Sequence, residues 1–151
     1  MIDGCPLLSV GSFDANVPQT VSVKHAIERV IVLTQTCDLV NQKATHIVVA
    51  LVLDAASLVA SGRLKAADIR GPIRGGRVFG WYFLPKSEEL GFGEMIVDMR
   101  SLHTLRLDLL TTLSAAGQRL ARIEPLYREH LSKHFADSYS RIGLPEPYAT
   151  D

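Results

Sequence analysis

Only two cysteines, Cys5 and Cys37, occur in the 151 residues, far apart in the chain. That excludes a disulfide framework and favours two free thiols. Neither sign of charge is in excess: 16 Lys and Arg balance 16 Asp and Glu. No global positive field therefore exists to coat a nucleic acid by counterion release. No apolar run approaches the roughly 18 residues of a membrane span. The opening MIDGCPLLSV has no basic region of a signal peptide. The expectation is a cytoplasmic protein with no membrane association. Internal repeats and low-complexity segments are missing too, and no second domain boundary is visible. An ordinary hydrophobic fraction of 47% predicts one domain over residues 1–151 with a self-sufficient core.

The first twenty residues are punctuated by Gly4, Pro6, Gly11, Asn16 and Pro18, which predicts a loop with at most short strands. Residues 29–34 and 46–53 are β-branched runs and read as strands. Asp54 is placed to cap a short helix over 55–60 that ends at Gly62. Residues 71–77, GPIRGGR, read as a breaker-rich turn, followed by an aromatic strand over 78–84 and another strand over 94–99. From Leu105 the apolar spacing becomes helical. From Pro125 the series Tyr127, Leu131, Phe135, Tyr139 predicts a long amphipathic helix closed by Gly143 and Pro145. The sum is α+β: a small, strongly curved sheet, one long C-terminal helix and one or two short ones.

ERVIVLTQ at 28–35 and EMIVDMRSLHTLRLDLL at 94–110 resemble strands of the PemK/MazF toxin family, and the order of parts is similar. The resemblance implies an SH3-like barrel with a C-terminal helix, a homodimer, a toxin-like or defence-associated role, and metal-independent endoribonuclease activity in active members. A cognate antitoxin or defence-system protein is a partner it suggests. TQTCDL at 34–39, with YREHLSKHFADSYSRIGLP at 127–145, also resembles a group of uncharacterised bacterial proteins with a Thr/Ser-x-x-Cys-Asp strand end and a Tyr-Arg-Glu-His-Leu helix.

Cleavage of single-stranded RNA by its own 2′-hydroxyl needs a proton acceptor, a cation for the phosphate charge and an acid for the leaving oxygen. Asp98 or His103, Arg29 or Arg100, and Thr34 can supply those roles. An Asp98–Arg100 surface pair is the plainer alternative, since two residues apart on a strand they share a face. The strand end and the C-terminal helix supply the candidate ligand-binding set Gln35, Cys37, Asp38, Arg128 and His130, which serves a non-catalytic interaction module as the alternative function. Cys37 with an adjacent acid is a poor nucleophile and equally reads as a buried small hydrophobe, with Asp38 capping a turn or pairing with an Arg. His130 and His134 lack the Glu of HExxH, so a solvated polar face is expected there rather than a zincin site. No metal and no cofactor are expected. Arg63, Lys65, Arg70, Arg74 and Arg77 concentrate cations in a Gly-rich segment, and Arg70, Arg74 and Arg77 are the candidate nucleic-acid contacts. The aromatic strand at 78–84 exceeds what one face of a small barrel readily buries, which predicts a homodimer contact there.

Overall fold

A computed structural model describes residues 1–14, 16, 17, 21–35, 39 and 44–140. Five strands, β1 (Ile2–Phe13), β2 (Val21–Val32), β3 (His46–Asp54), β4 (Trp81–Leu84) and β5 (Met95–Arg106), form one antiparallel sheet in the order β1-β2-β3-β5-β4. The helices are α1 (Ala55–Ala60), α2 (Ala66–Asp68), α3 (Leu107–Ala115) and α4 (Pro125–Tyr139), and a π-helical turn, Ile69–Ile73, follows α2. The α+β class, the strands at 46–53 and the long C-terminal helix agree with the sequence. Among the described residues the sheet is not closed: the strand order is linear, and β1 and β4 are its two edges.

The N-terminal segment corrects the expectation of a loop. Its breakers sit where a strand tolerates them. Gly4 takes a φ of +63° at the register shift between Ile2 and Cys5, and Gly11 lies in the second shift, between Val10 and Ser12. A bulge of this kind absorbs one unpaired residue. Pro6 stands on the sheet edge, where its missing N–H breaks no ladder bond.

Alternation along the strands sends apolar side chains to both faces. On one face Ile31, Ala50, Val52, Val97 and Tyr82 pack with Leu131 of α4. On the other, Val30, Ile47, Val49 and Leu105 pack with Leu110 of α3, while Ile96 and Trp81 pack with Leu58, Ile69 and Ile73. At roughly 1.5–3 kcal/mol for each large apolar side chain buried, these clusters are the main support of the sheet. Helix α1 begins as the sequence indicates, with Asp54 Oδ1 accepting the Ser57 N–H at 2.7 Å. Among the described residues no helix is long and apolar enough to cross a membrane.

Candidate nucleic-acid interface

The β3–β5 ladder pairs Ala50 with Leu102 and then Leu51 with Asp98, so residues 99–101 bulge out of register. This bulge turns the chain back on Asp98, whose side chain is only 3% exposed. Its Oδ1 accepts the Arg100 backbone N–H at 3.0 Å and Nε–H at 2.9 Å, and its Oδ2 accepts Nη2–H at 3.0 Å. Arg63 Nη2 lies 3.8 Å from Oδ2. A desolvated carboxylate held this way is a satisfied structural group, since both of its oxygens are engaged. The same hydrogen bonds raise the Arg100 pKa above its ordinary value. The Arg100 guanidinium also stacks over Trp81, 3.8 Å from the ring centroid.

Gly80 makes that stack possible. Its φ is +82°, and a Cβ there would stand 2.6 Å from Arg100 Cγ. Gly80→Ala is expected to lower stability by about 1–2 kcal/mol through left-handed strain. It should also displace Arg100 from Trp81, the one tryptophan of the chain. Denaturant unfolding followed by tryptophan emission reads both effects, and an unaltered native spectrum would speak against the contact.

Cations gather next to this clamp. Ile69 and Ile73 are buried against the Trp81 and Ile96 side of the sheet, which fixes the segment the sequence assigned to a loose turn. Pro72 sits within the π-helical turn rather than ending it. With the two isoleucines inward, Arg70 and Arg74 stay exposed, as do Arg63, Lys65, Arg77 and Arg100. The Arg74 guanidinium lies over Phe83, 5.5 Å from its centroid. Arginines parked over aromatic rings keep their charge at the surface at little entropic cost.

The other residues proposed for cleavage divide between the two faces and the end of the sheet. Directly paired residues share a face, and Asp98 pairs with Leu51, which pairs with Val30. Arg29, the residue before Val30, therefore points to the opposite side of the sheet. There it donates to Asp3 Oδ2 at 3.0 Å, contacts Met95 Sδ and lies 5.3 Å from the Phe92 centroid. Asp3 is held below the usual carboxylate range, chiefly by the Arg29 hydrogen bond. Thr34 Oγ1 accepts the Val48 N–H at 2.9 Å just past the end of β2. His103 stands opposite Val49 in the β3–β5 ladder. The structure brings Asp98 and Arg100 together and keeps His103 on Asp98's face of the sheet, because their partners Val49 and Leu51 are two residues apart on β3, while Arg29 is on the opposite side.

Of the ligand-binding candidates, Gln35 and Arg128 do meet. With Thr34, Glu129 and Ser132 they line a cavity of about 460 Å³ between the end of β2 and the start of α4. Cys37 and Asp38 lie outside the described residues. His130 instead packs on β4, its Nδ1 hydrogen-bonded to the Tyr82 hydroxyl at 3.1 Å. His134 corrects the expected solvated face more sharply. It is 5% exposed, and its Nε2–H donates to the Trp81 carbonyl at 3.0 Å. An imidazole can bury its ring and satisfy a nitrogen on a carbonyl. Tyr127, the first residue of the apolar series that predicts α4, is 61% exposed. The i, i+3, i+4 set Leu131, His134 and Phe135 carried the signal for the inward face. Within the aromatic stretch, Trp81 and Tyr82 are buried and Phe79 is 37% exposed.

Among the described residues no group of three or more His, Cys, Asp or Glu is arranged to hold a metal ion. Compared with family models, curated proteins and solved structures, the chain matches none.

Proposed function

We propose that this protein binds single-stranded RNA on the arginine-rich face beside β4 and does not cleave it. The observation that carries the reading is that Arg63, Arg74 and Arg100 lie against Asp98, Phe83 and Trp81 on one face of the sheet, with Lys65, Arg70 and Arg77 exposed in the same segment of a chain with zero net charge. Asp98, the acid in direct contact with that surface's arginines, is buried and engaged. A local cationic face supplies phosphate contacts that the whole molecule does not, and arginine planes over Trp81 and Phe83 offer stacking surfaces to unpaired bases. The placement of Arg29 on the opposite side of the sheet, with both oxygens of Asp98 engaged by Arg100, supports binding over turnover. Kinship with PemK/MazF toxins, with its finer SH3-like geometry and defence role, belongs to the same proposal and agrees with RNA as the ligand.

A labelled, mixed-sequence single-stranded RNA should bind with a Kd of about 1–100 µM at physiological salt. Incubation of pooled RNA without divalent metal should yield no 2′,3′-cyclic phosphate ends. Cleavage products, or equally tight binding of a neutral polymer, would count against the reading.

The cavity at Thr34, Gln35 and Arg128 favours a second reading, a non-catalytic module for a small polar ligand or a peptide end. Its mixed lining of an arginine, a glutamate, an amide and hydroxyls suits a group that both donates and accepts hydrogen bonds. Arg128→Ala separates the two: it should leave RNA binding unchanged if the face beside β4 is the RNA site.

A further inference from the structure

Among the described residues, β2 beyond Glu28 toward its N-terminal end pairs with β1 alone, because the β2–β3 ladder covers only residues 30–32. The result is a two-stranded arm that extends past the body of the sheet. One of its faces is apolar and open: Leu8 and Val10 are each 67% exposed, Val23 61% and Ile27 59%. Val10 is paired with Val23, and Pro6 with Ile27, so these residues form one continuous stripe. The reverse face of the arm's base is covered, with Cys5 and Leu7 packed in the cluster that includes Leu110 of α3. An isolated ribbon of two strands is marginally stable in water, and its apolar stripe calls for a covering group.

The two edges of the arm differ. Both register shifts put the extra residue in β1, which leaves β2 regular. Leu33 N–H donates to Val48 O on the β3 side. By the alternation of an antiparallel ladder, Ile27, His25 and Val23 turn their N–H and C=O groups to that same side, where β3 has parted from β2. Pro6 agrees with this phase, since opposite Ile27 it occupies a pair that exchanges no bonds. On the outer edge of β1, Gly4, Pro6 and Gly11 spoil any further ladder. The β2 edge, VSVKHAIE, carries no such breaker.

We propose that the β2 edge of this arm pairs antiparallel with the same edge of a second copy, about a two-fold axis through Ala26. The charge pattern selects this register. Centred on Ala26, it sets Lys24 opposite Glu28 of the second copy, twice by symmetry, and brings two alanines together in the close, non-bonded pair. His25 and Ile27 of the second copy then form the hydrogen-bonded pairs, so the edge groups that β3 leaves open are satisfied. Centring one residue nearer the tip breaks the Lys–Glu match, and centring on Lys24 sets like charges together. Pairing also gives Val23 and Ile27 a neighbouring strand on their open flank. This interface uses neither the aromatic strand nor the arginine-rich face and is independent of RNA binding.

Sedimentation of the full chain at about 50 µM, a concentration suited to a specific interface of moderate affinity, tests it. The wild type should sediment as a dimer. Lys24→Glu should weaken the dimer at least about tenfold, since acid then faces acid at two positions. The double variant Lys24→Glu with Glu28→Lys should restore wild-type affinity within about threefold, an outcome only this antiparallel register produces. His25→Pro, which removes an edge N–H but no bond to β1, should give a folded monomer by circular dichroism. A monomeric wild type, a dimer indifferent to Lys24→Glu and His25→Pro, or a double variant that stays monomeric would each overturn the proposal.

Discussion

Arg100→Ala should lower the free energy of unfolding by about 3 kcal/mol, a large loss for the truncation of a half-exposed side chain. The loss arises at its partner. Asp98 is buried and takes three hydrogen bonds from Arg100, so removing the guanidinium strands a carboxylate in the interior with only Arg63, at 3.8 Å, in reach. The backbone N–H bond survives the substitution and keeps the cost below that of a fully orphaned charge. Asp98→Ala together with Arg100→Ala should cost clearly less than the sum of the two single changes, because no charge is then left unpaired. Urea unfolding of the three variants and the wild type reads this directly. A loss below about 1 kcal/mol for Arg100→Ala would show that the clamp is solvated in solution. The same reasoning governs functional assays: lost activity in an Arg100 variant must be separated from lost structure before Arg100 is given any role at a phosphate.

The triple substitution Arg70→Ala, Arg74→Ala, Arg77→Ala should behave in the opposite way. These side chains are exposed, and among the described residues Arg74 alone of the three has a ring contact, over Phe83, so stability should change by no more than about 1 kcal/mol. Affinity for single-stranded RNA should fall by about 30-fold or more, since each arginine lost forfeits a phosphate contact and the counterion release that accompanies it. Fluorescence anisotropy at low salt gives the ratio. Unchanged affinity would move the RNA site off this face.

Local signals were the legible ones. The β-branched run at 46–53, the Asp54 cap and the start of α4 at Pro125 depend on neighbours in the chain and can be read there. Strand β1 was hidden because Gly4, Pro6 and Gly11 are breakers in isolation and bulge or edge residues in a sheet, a distinction that depends on the pairing partner β2. The helical stretch before Arg74 is hidden by Gly71 and Pro72, and the burial of Ile69 and Ile73 on the sheet accounts for it. Asp98 and Arg100 were recognisable as a same-face pair. That Arg29 points the other way follows from registers across β2, β3 and β5, and such registers are set by long-range packing. His134 reads as solvated because it stands four residues from His130 without the Glu of HExxH, although its spacing from Leu131 and Phe135 puts it on the buried face.

The central claim, that a local patch of arginines rather than overall charge binds RNA, is tested most directly by the salt dependence of that binding. The logarithm of the association constant for a single-stranded RNA is measured against the logarithm of salt concentration for the wild type and for the Arg70, Arg74, Arg77 triple variant. The account predicts a linear decline for the wild type and a slope about 2 shallower for the variant, roughly 0.7 for each phosphate contact removed. Equal slopes for the two proteins, or wild-type binding indifferent to salt, would contradict it.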